Sequence, residues 1–181
     1  MNFFSLSIYK PSDLELWISQ VYRENGILCA AQLDIEHVAD IFNISLSTTN
    51  GVTKSFFDDD DCMVLLNARL TTAEKRSAFF HELCHPLRHS GDQNKLPAMF
   101  VELQEMQAAN FQLVSAMPIF MIRGLELPNI RSVCLERIAH EFGVTPELAK
   151  RRLQQIEERV FQGLITDRIR KQEELRVKII I

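Results

Sequence analysis

The chain has 181 residues, 46% of them hydrophobic and 24% charged, a balance that suits one globular domain with an ordinary core. Its net charge of −4 and pI near 5.7 exclude a global field that would gather nucleic acid. No run approaches the roughly 18 apolar residues of a membrane span, and Met1 to Lys10 lacks the basic start and long apolar core of a signal peptide.

The four cysteines, Cys29, Cys62, Cys84 and Cys134, form no Cys-x-x-Cys pair, so neither a thiolate zinc site nor a disulfide framework is expected. Scattered single cysteines without an export signal point to a reducing cytoplasm.

Pro11 to Arg23 predicts the first helix. Ser12 or Asp13 can cap it, and Leu14, Trp17, Ile18 and Val21 recur at helical spacing. Asn25-Gly26 ends it. Ala31 to Phe42 predicts a second helix carrying Leu33, Ile35, Val38, Ala39 and Phe42, with His37 read as a surface or core-edge residue. Three short extended runs follow: Ile44 to Thr48, Lys54 to Phe57 and Met63 to Leu66. Asn50-Gly51 and the run Asp58 to Asp61 separate them. That spacing predicts a small three-stranded antiparallel meander. The aspartate run lacks the alternating ligands and central glycine of a calcium loop, so it reads as a solvated turn.

The next helix holds the chemistry. Thr71 with Glu74 three residues on is a capping box. Ten residues into that helix the chain reads His81-Glu82-Leu83-Cys84-His85, a His-Glu-x-x-His motif. With His81 at zero on a helical wheel, His85 falls near about 40°, His89 near about 80° and Glu82 near about 100°. Phe79, Phe80, Leu83, Cys84 and Leu87 occupy the opposite side. The two histidines can therefore present imidazole nitrogens to one zinc ion. Glu82 is too close to the backbone of His81 to be a natural third ligand and is placed to serve as general base. Pro86 removes a backbone donor and disfavours helical geometry at His85, which predicts a kink or an end there.

Ser90 to Leu96 is a polar connector, and Pro97 to Met117 predicts a long helix whose apolar face gathers Phe100, Leu103, Met106, Phe111, Leu113 and Val114. Glu105 lies roughly opposite that face, beside Ala108, Ala109 and Gln112, small enough in part to let another helix come close. That makes Glu105 the candidate third zinc ligand, with Glu102, one turn earlier, as its rival. Ile130 to Glu141, closed by Gly143, and a helix from Pro146 to about Arg159 form a helix-turn-helix-like hairpin over residues 138–153. The charged tail after Gly163 also reads as helical. From Pro146 onward the nine Lys or Arg barely outnumber the six Asp or Glu. A packing hairpin therefore explains the pattern better than a DNA reader, and no direct nucleic-acid partner is expected.

These residues resemble the ImmA/IrrE-type metallopeptidases. The resemblance is carried by the helix leading into His81-Glu82-Leu83-Cys84-His85, by Leu87 and His89, and by Glu105-x-x-Ala108 with Phe111, closing at Met117-Pro118. Downstream, Phe142-Gly143-Val144-Thr145-Pro146-Glu147-Leu148 with Arg152-Leu153 looks like the family's end segment. Roughly Leu28 to Leu153 is covered. The resemblance implies an α+β fold: a predominantly helical, zincin-like core with a small sheet, and a cytosolic role. Members are often encoded on phages and other mobile elements, where they cleave a helix-turn-helix repressor. Pro86 departs from a segment that the family usually continues as helix. Ala109 and Gln112 stand where Asn or Asp and Ala are common, which changes the partner available to a metal ligand.

The combined expectation is a zinc metalloendopeptidase core over residues 1–125 and a C-terminal helical extension over 126–181. His81, His85 and Glu105 would hold Zn²⁺ with one position left for water, and Glu82 would be the general base. Arg88 and His89 are the positional candidates for stabilising an oxyanion, His89 being equally a helix-end cap or a support for a ligand. The expected partner is a helix-turn-helix repressor; no membrane partner is expected. Two other readings stay open: a non-catalytic regulator that binds a repressor through a zinc fold, and DNA binding through the 138–153 hairpin.

Overall fold

The computed structural model describes residues 6, 8–58, 61–90 and 96–180, with side chains as far as Gln172. Helix α1 (Asp13–Glu24) starts at Ser12, whose hydroxyl accepts from the Glu15 amide while the Glu15 carboxylate accepts from the Ser12 amide at 2.8 Å. The predicted second helix is divided. A 3-10 turn (Ala30–Gln32) precedes α2 (Ile35–Ile41), and Asp34 between them accepts from the amides of Glu36 and His37. A carboxylate that caps a new first turn stops the preceding one from propagating. His37 is exposed, as its surface reading requires.

The sheet comprises β1 (Ser45–Thr49), β2 (Lys54–Phe57) and β3 (Cys62–Asn67) in the order β1-β3-β2. It is mixed rather than wholly antiparallel: β2 pairs with β3 antiparallel, but β1 pairs with β3 parallel. The composition explains the arrangement. β3 supplies Val64 and Leu66, both buried, and takes the centre, whereas the Ser/Thr-rich β1 tolerates an edge. Crossing from β1 over the end of β3 to β2 spans about 10 Å, and the four residues 50–53 reach about 13 Å when extended. The turn between β2 and β3 is closed by Asp58 and Asp61. The Asp58 amide donates to the Asp61 carbonyl and the Asp61 amide to Asp58 Oδ1. Asp59 and Asp60, in the middle of the predicted solvated turn, lie outside the described residues.

Helix α3 (Thr72–Glu82) begins at the predicted capping box, with Thr71 Oγ1 accepting from Glu74 and the Glu74 carboxylate accepting from the Thr71 amide. It ends at Glu82, and α4 (Cys84–Arg88) follows after Leu83 alone. The break has the expected cause: Pro86 has no N–H to return to the Glu82 carbonyl. Leu83 nonetheless keeps right-handed helical angles, φ −58° and ψ −29°, so His81 and His85 stay on one face. Part of the predicted connector, residues 91–95, lies outside the described residues.

Helix α5 (Ala98–Ala116) packs on α3, joined by Gln112 Nε2 donating to the Ser77 carbonyl at 2.8 Å. Its buried side differs from the expected one. Phe100, Leu103 and Met106 are exposed, while Ala108 is fully buried. The small-residue face beside Glu105 turns inward because it allows α3 and α5 to approach closely. Only beyond Ala108, where the core closes around the helix, are Phe111, Leu113 and Val114 buried.

After Pro118 the short α6 (Ile119–Ile122) leads to α7 (Arg131–Phe142) and then to α8 (Pro146–Ile180), which runs unbroken through Gly163. A Cβ at Gly163 would meet Ile8 at 3.3 Å, so its missing side chain lets α8 lie against the N-terminal segment. Gly143 ends α7 in the left-handed region, at φ +58°. Apart from the glycine and its chain neighbours, the nearest atom to a Cβ built there is Arg76 Cδ at 3.7 Å. Gly143→Ala therefore tests backbone strain alone, and a loss of about 1 kcal/mol is expected in equilibrium urea unfolding.

One buried apolar cluster extends from Tyr9 to Ile156. Within it lies a polar clasp. Arg152 of α8 is 0% exposed and Glu15 of α1 is 2% exposed. Arg152 donates to Glu15 at 2.8 Å and to the Met117 carbonyl at 3.0 Å. Tyr9 donates to the same carboxylate at 2.5 Å. Arg152, one of three consecutive basic residues, thus faces the core rather than a phosphate backbone.

Candidate metal centre

The broken helix α3–α4 supplies two imidazoles and α5 supplies a carboxylate. His81 Nε2 lies 3.1 Å from Glu105 Oε2, and His85 Nε2 lies 3.6 Å from Glu105 Oε1. One donor atom from each residue lies within 4.8 Å of both others, and among the described residues this is the one His/Cys/Asp/Glu group so gathered. The donor set fits zinc in kind, two nitrogens and an oxygen. It also fits in size, because bonds of about 2.0–2.1 Å arranged tetrahedrally place neighbouring ligand atoms about 3.4 Å apart. The rival Glu102 is exposed and lies outside the group.

The surroundings prepare these groups for a cation. Burial is the main reason His85 is pushed down to about 4, so its ring is neutral at pH 7. Its other nitrogen, Nδ1, lies 3.0 Å from His89 Nδ1, and His89 Nε2 lies 3.0 Å from Gln107 Oε1. One tautomer assignment satisfies the whole chain: His85 Nδ1–H donates to His89, and His89 Nε2–H donates to Gln107. That assignment leaves His85 Nε2 unprotonated and aimed toward Glu105. His89, engaged at both nitrogens, has no donor left for an oxyanion. Arg88 is exposed on α4.

Glu82 turns from the next position of α3 toward the sheet. Its Oε2 accepts from the Ser55 amide at 2.8 Å and from the Ser55 hydroxyl at 3.0 Å. Burial raises the Glu82 carboxyl above its ordinary value, against the opposing pull of those two donors. A carboxylate with a raised proton affinity can accept a proton from water and release it again. Sequence reasoning missed Ser55 and Gln107. Ser55 precedes Glu82 by 27 positions, on a strand. The available signal was a small polar residue alternating with Lys54 and Phe56, which does not name its partner.

An uncharacterized Bacillus subtilis protein, YqaB, is 32% identical over 145 residues, covering 80% of this chain and 84% of its own. The phage-like element PBSX protein XkdA of the same organism is 34% identical over 148 residues, covering 82% of this chain and 75% of its own. A solved Mycobacterium tuberculosis transcriptional regulator superposes with a TM-score of 0.55 at 20% identity, over 83% of this chain and 49% of that one. At that identity the likeness concerns the fold alone. The Peptidase_M78 model, described as the IrrE N-terminal-like domain, matches residues 36–154 and so takes in the sheet, both histidines, Glu82, Glu105 and Arg152. The resemblance read from the motif is borne out: the chain belongs to the IrrE N-terminal-like Peptidase_M78 family, a family of metallopeptidases.

Proposed function

We propose that this protein is a cytoplasmic zinc-dependent endopeptidase that cleaves a helix-turn-helix repressor of the kind carried by phages and mobile elements, relieving repression. The observation that carries the reading is the convergence of His81, His85 and Glu105 beside the anchored carboxylate of Glu82. Family membership supports the peptidase chemistry. The name of the relative XkdA, a phage-like element protein, supports the setting. Four free cysteines suit a reducing compartment, and among the described residues no helix is long and apolar enough to cross a membrane.

In this reading the two Nε2 atoms and the Glu105 carboxylate would hold the ion. Zinc held there would supply Lewis acidity, lowering the pKa of a nearby water toward about 7. Glu82 takes the proton as the water oxygen attacks the peptide carbonyl, then returns it to the leaving amine. His89 and Gln107 hold the His85 ring in orientation. His89→Ala is therefore expected to weaken zinc binding by about 10- to 100-fold, measured by competition with a chromophoric chelator.

The direct test mixes the purified protein with a small helix-turn-helix repressor of the phage-encoded kind. Fragments at one defined bond, lost with a zinc chelator and regained on adding zinc, are the expected result. An intact repressor under zinc-replete conditions, bound but uncut, would replace this reading with a non-catalytic regulator.

A further inference from the structure

We infer that Ser55 is a positioning residue for Glu82, fixing one carboxylate oxygen so that the other is the one that exchanges a proton with the reacting water. The inference rests on the peptidase reading above and extends it to a residue on another element. Its basis is the direction of one backbone amide. Ser55 sits on β2, the edge strand opposite β1, and pairs with Val64 of β3. Its N–H nonetheless goes to Glu82 Oε2 rather than to β3. In an antiparallel ladder, residues alternate between facing the partner strand and facing outward. Asp58 donates to Asp61 across the hairpin, so counting back by twos leaves Ser55 facing outward. The amide that this edge would otherwise offer to water is capped by the carboxylate of Glu82.

The hydroxyl of the same residue adds a second donor to the same oxygen. Two donors from one side chain and its own amide define a position more tightly than either alone. The strand that carries them is anchored through β3 to the core. Among the described residues no donor lies on Glu82 Oε1. The two oxygens therefore differ, Oε2 being held by the sheet and Oε1 being left for chemistry. Ser55 is 8% exposed, so the contact lies largely away from competing water.

The test has two arms. In the metal-free protein, hydrogen exchange followed by NMR should find the Ser55 amide protected despite its place on an open edge, with the protection lost in Glu82→Ala. In the zinc-loaded protein, Ser55→Ala should lower kcat on the order of tenfold, the cost of one charge-assisted hydrogen bond. KM and zinc content should be unchanged, and Ser55→Thr, which keeps the hydroxyl, should recover most of the rate. Wild-type kcat in Ser55→Ala, or a Ser55 amide that exchanges at the rate of an open strand edge, overturns the inference while leaving the peptidase reading intact. A wild type that cleaves no repressor, with Ser55 protected only when Glu82 is present, counts for the contact and against the peptidase reading.

Discussion

On the peptidase reading proposed above, Glu82→Gln is expected to keep one zinc ion per chain and to lose repressor cleavage by about 10²- to 10⁴-fold. The amide is nearly the same shape as the carboxylate and can still accept from Ser55, but it cannot hold the proton taken from water. Glu82 is not among the converging donors, so the ion has no reason to leave. His81→Ala removes a donor atom and is expected to lose metal and cleavage together. Metal content by mass spectrometry and fragment yield by gel separate the two outcomes. Undiminished cleavage by Glu82→Gln would remove the general-base assignment and leave the ion's role open.

The largest effect on stability is expected at the other end of the molecule. Arg152→Ala should destabilise the fold by about 3–5 kcal/mol, because it leaves the buried Glu15 carboxylate without its main partner. For a chain of this size that corresponds to a fall in Tm on the order of 10 °C, read by differential scanning calorimetry. Arg159 Nη1, 3.6 Å from Glu15, replaces only part of the contact. The same clasp sets an acid limit. Burial is the strongest single influence on Glu15 and opposes its ionisation. Arg152, with the hydrogen bonds from Tyr9, Ser12 and Arg152, outweighs burial, and the carboxyl titrates below its ordinary 4.5. A depressed folded-state pKa contributes stability that is present above the unfolded value and is lost as pH falls through the folded one. Wild-type stability should therefore drop below about pH 4.5. In Arg152→Ala that contribution should shrink, flattening the profile over the same range.

The helix carrying the His-Glu-x-x-His motif was legible because every signal for it is local. The capping box at Thr71, the four-residue spacing of His81 and His85, and the break at Pro86 all depend on residues within a turn or two of one another. Glu105 was legible for a different reason: Ala108 beside it announced close helix packing, and that packing sets the acid against His81. What escaped notice depended on contacts between distant segments. Phe100, Leu103 and Met106 fit a buried stripe on periodicity alone, but the end of α5 that carries them projects beyond the core. The strand order followed from which strand had the most apolar surface to bury, not from the turns between strands. The sequence marks Arg152 only as one of three consecutive basic residues. Its burial depends on a carboxylate 137 positions away that also caps the first helix.

The most direct test of the metal centre is anomalous diffraction from zinc-loaded crystals, recorded on both sides of the zinc absorption edge. The expected result is a single anomalous peak about 2.0–2.2 Å from His81 Nε2, His85 Nε2 and a carboxylate oxygen of Glu105, with a water at the fourth corner. A peak that Glu105 does not touch, or no peak between α3 and α5, would contradict the account.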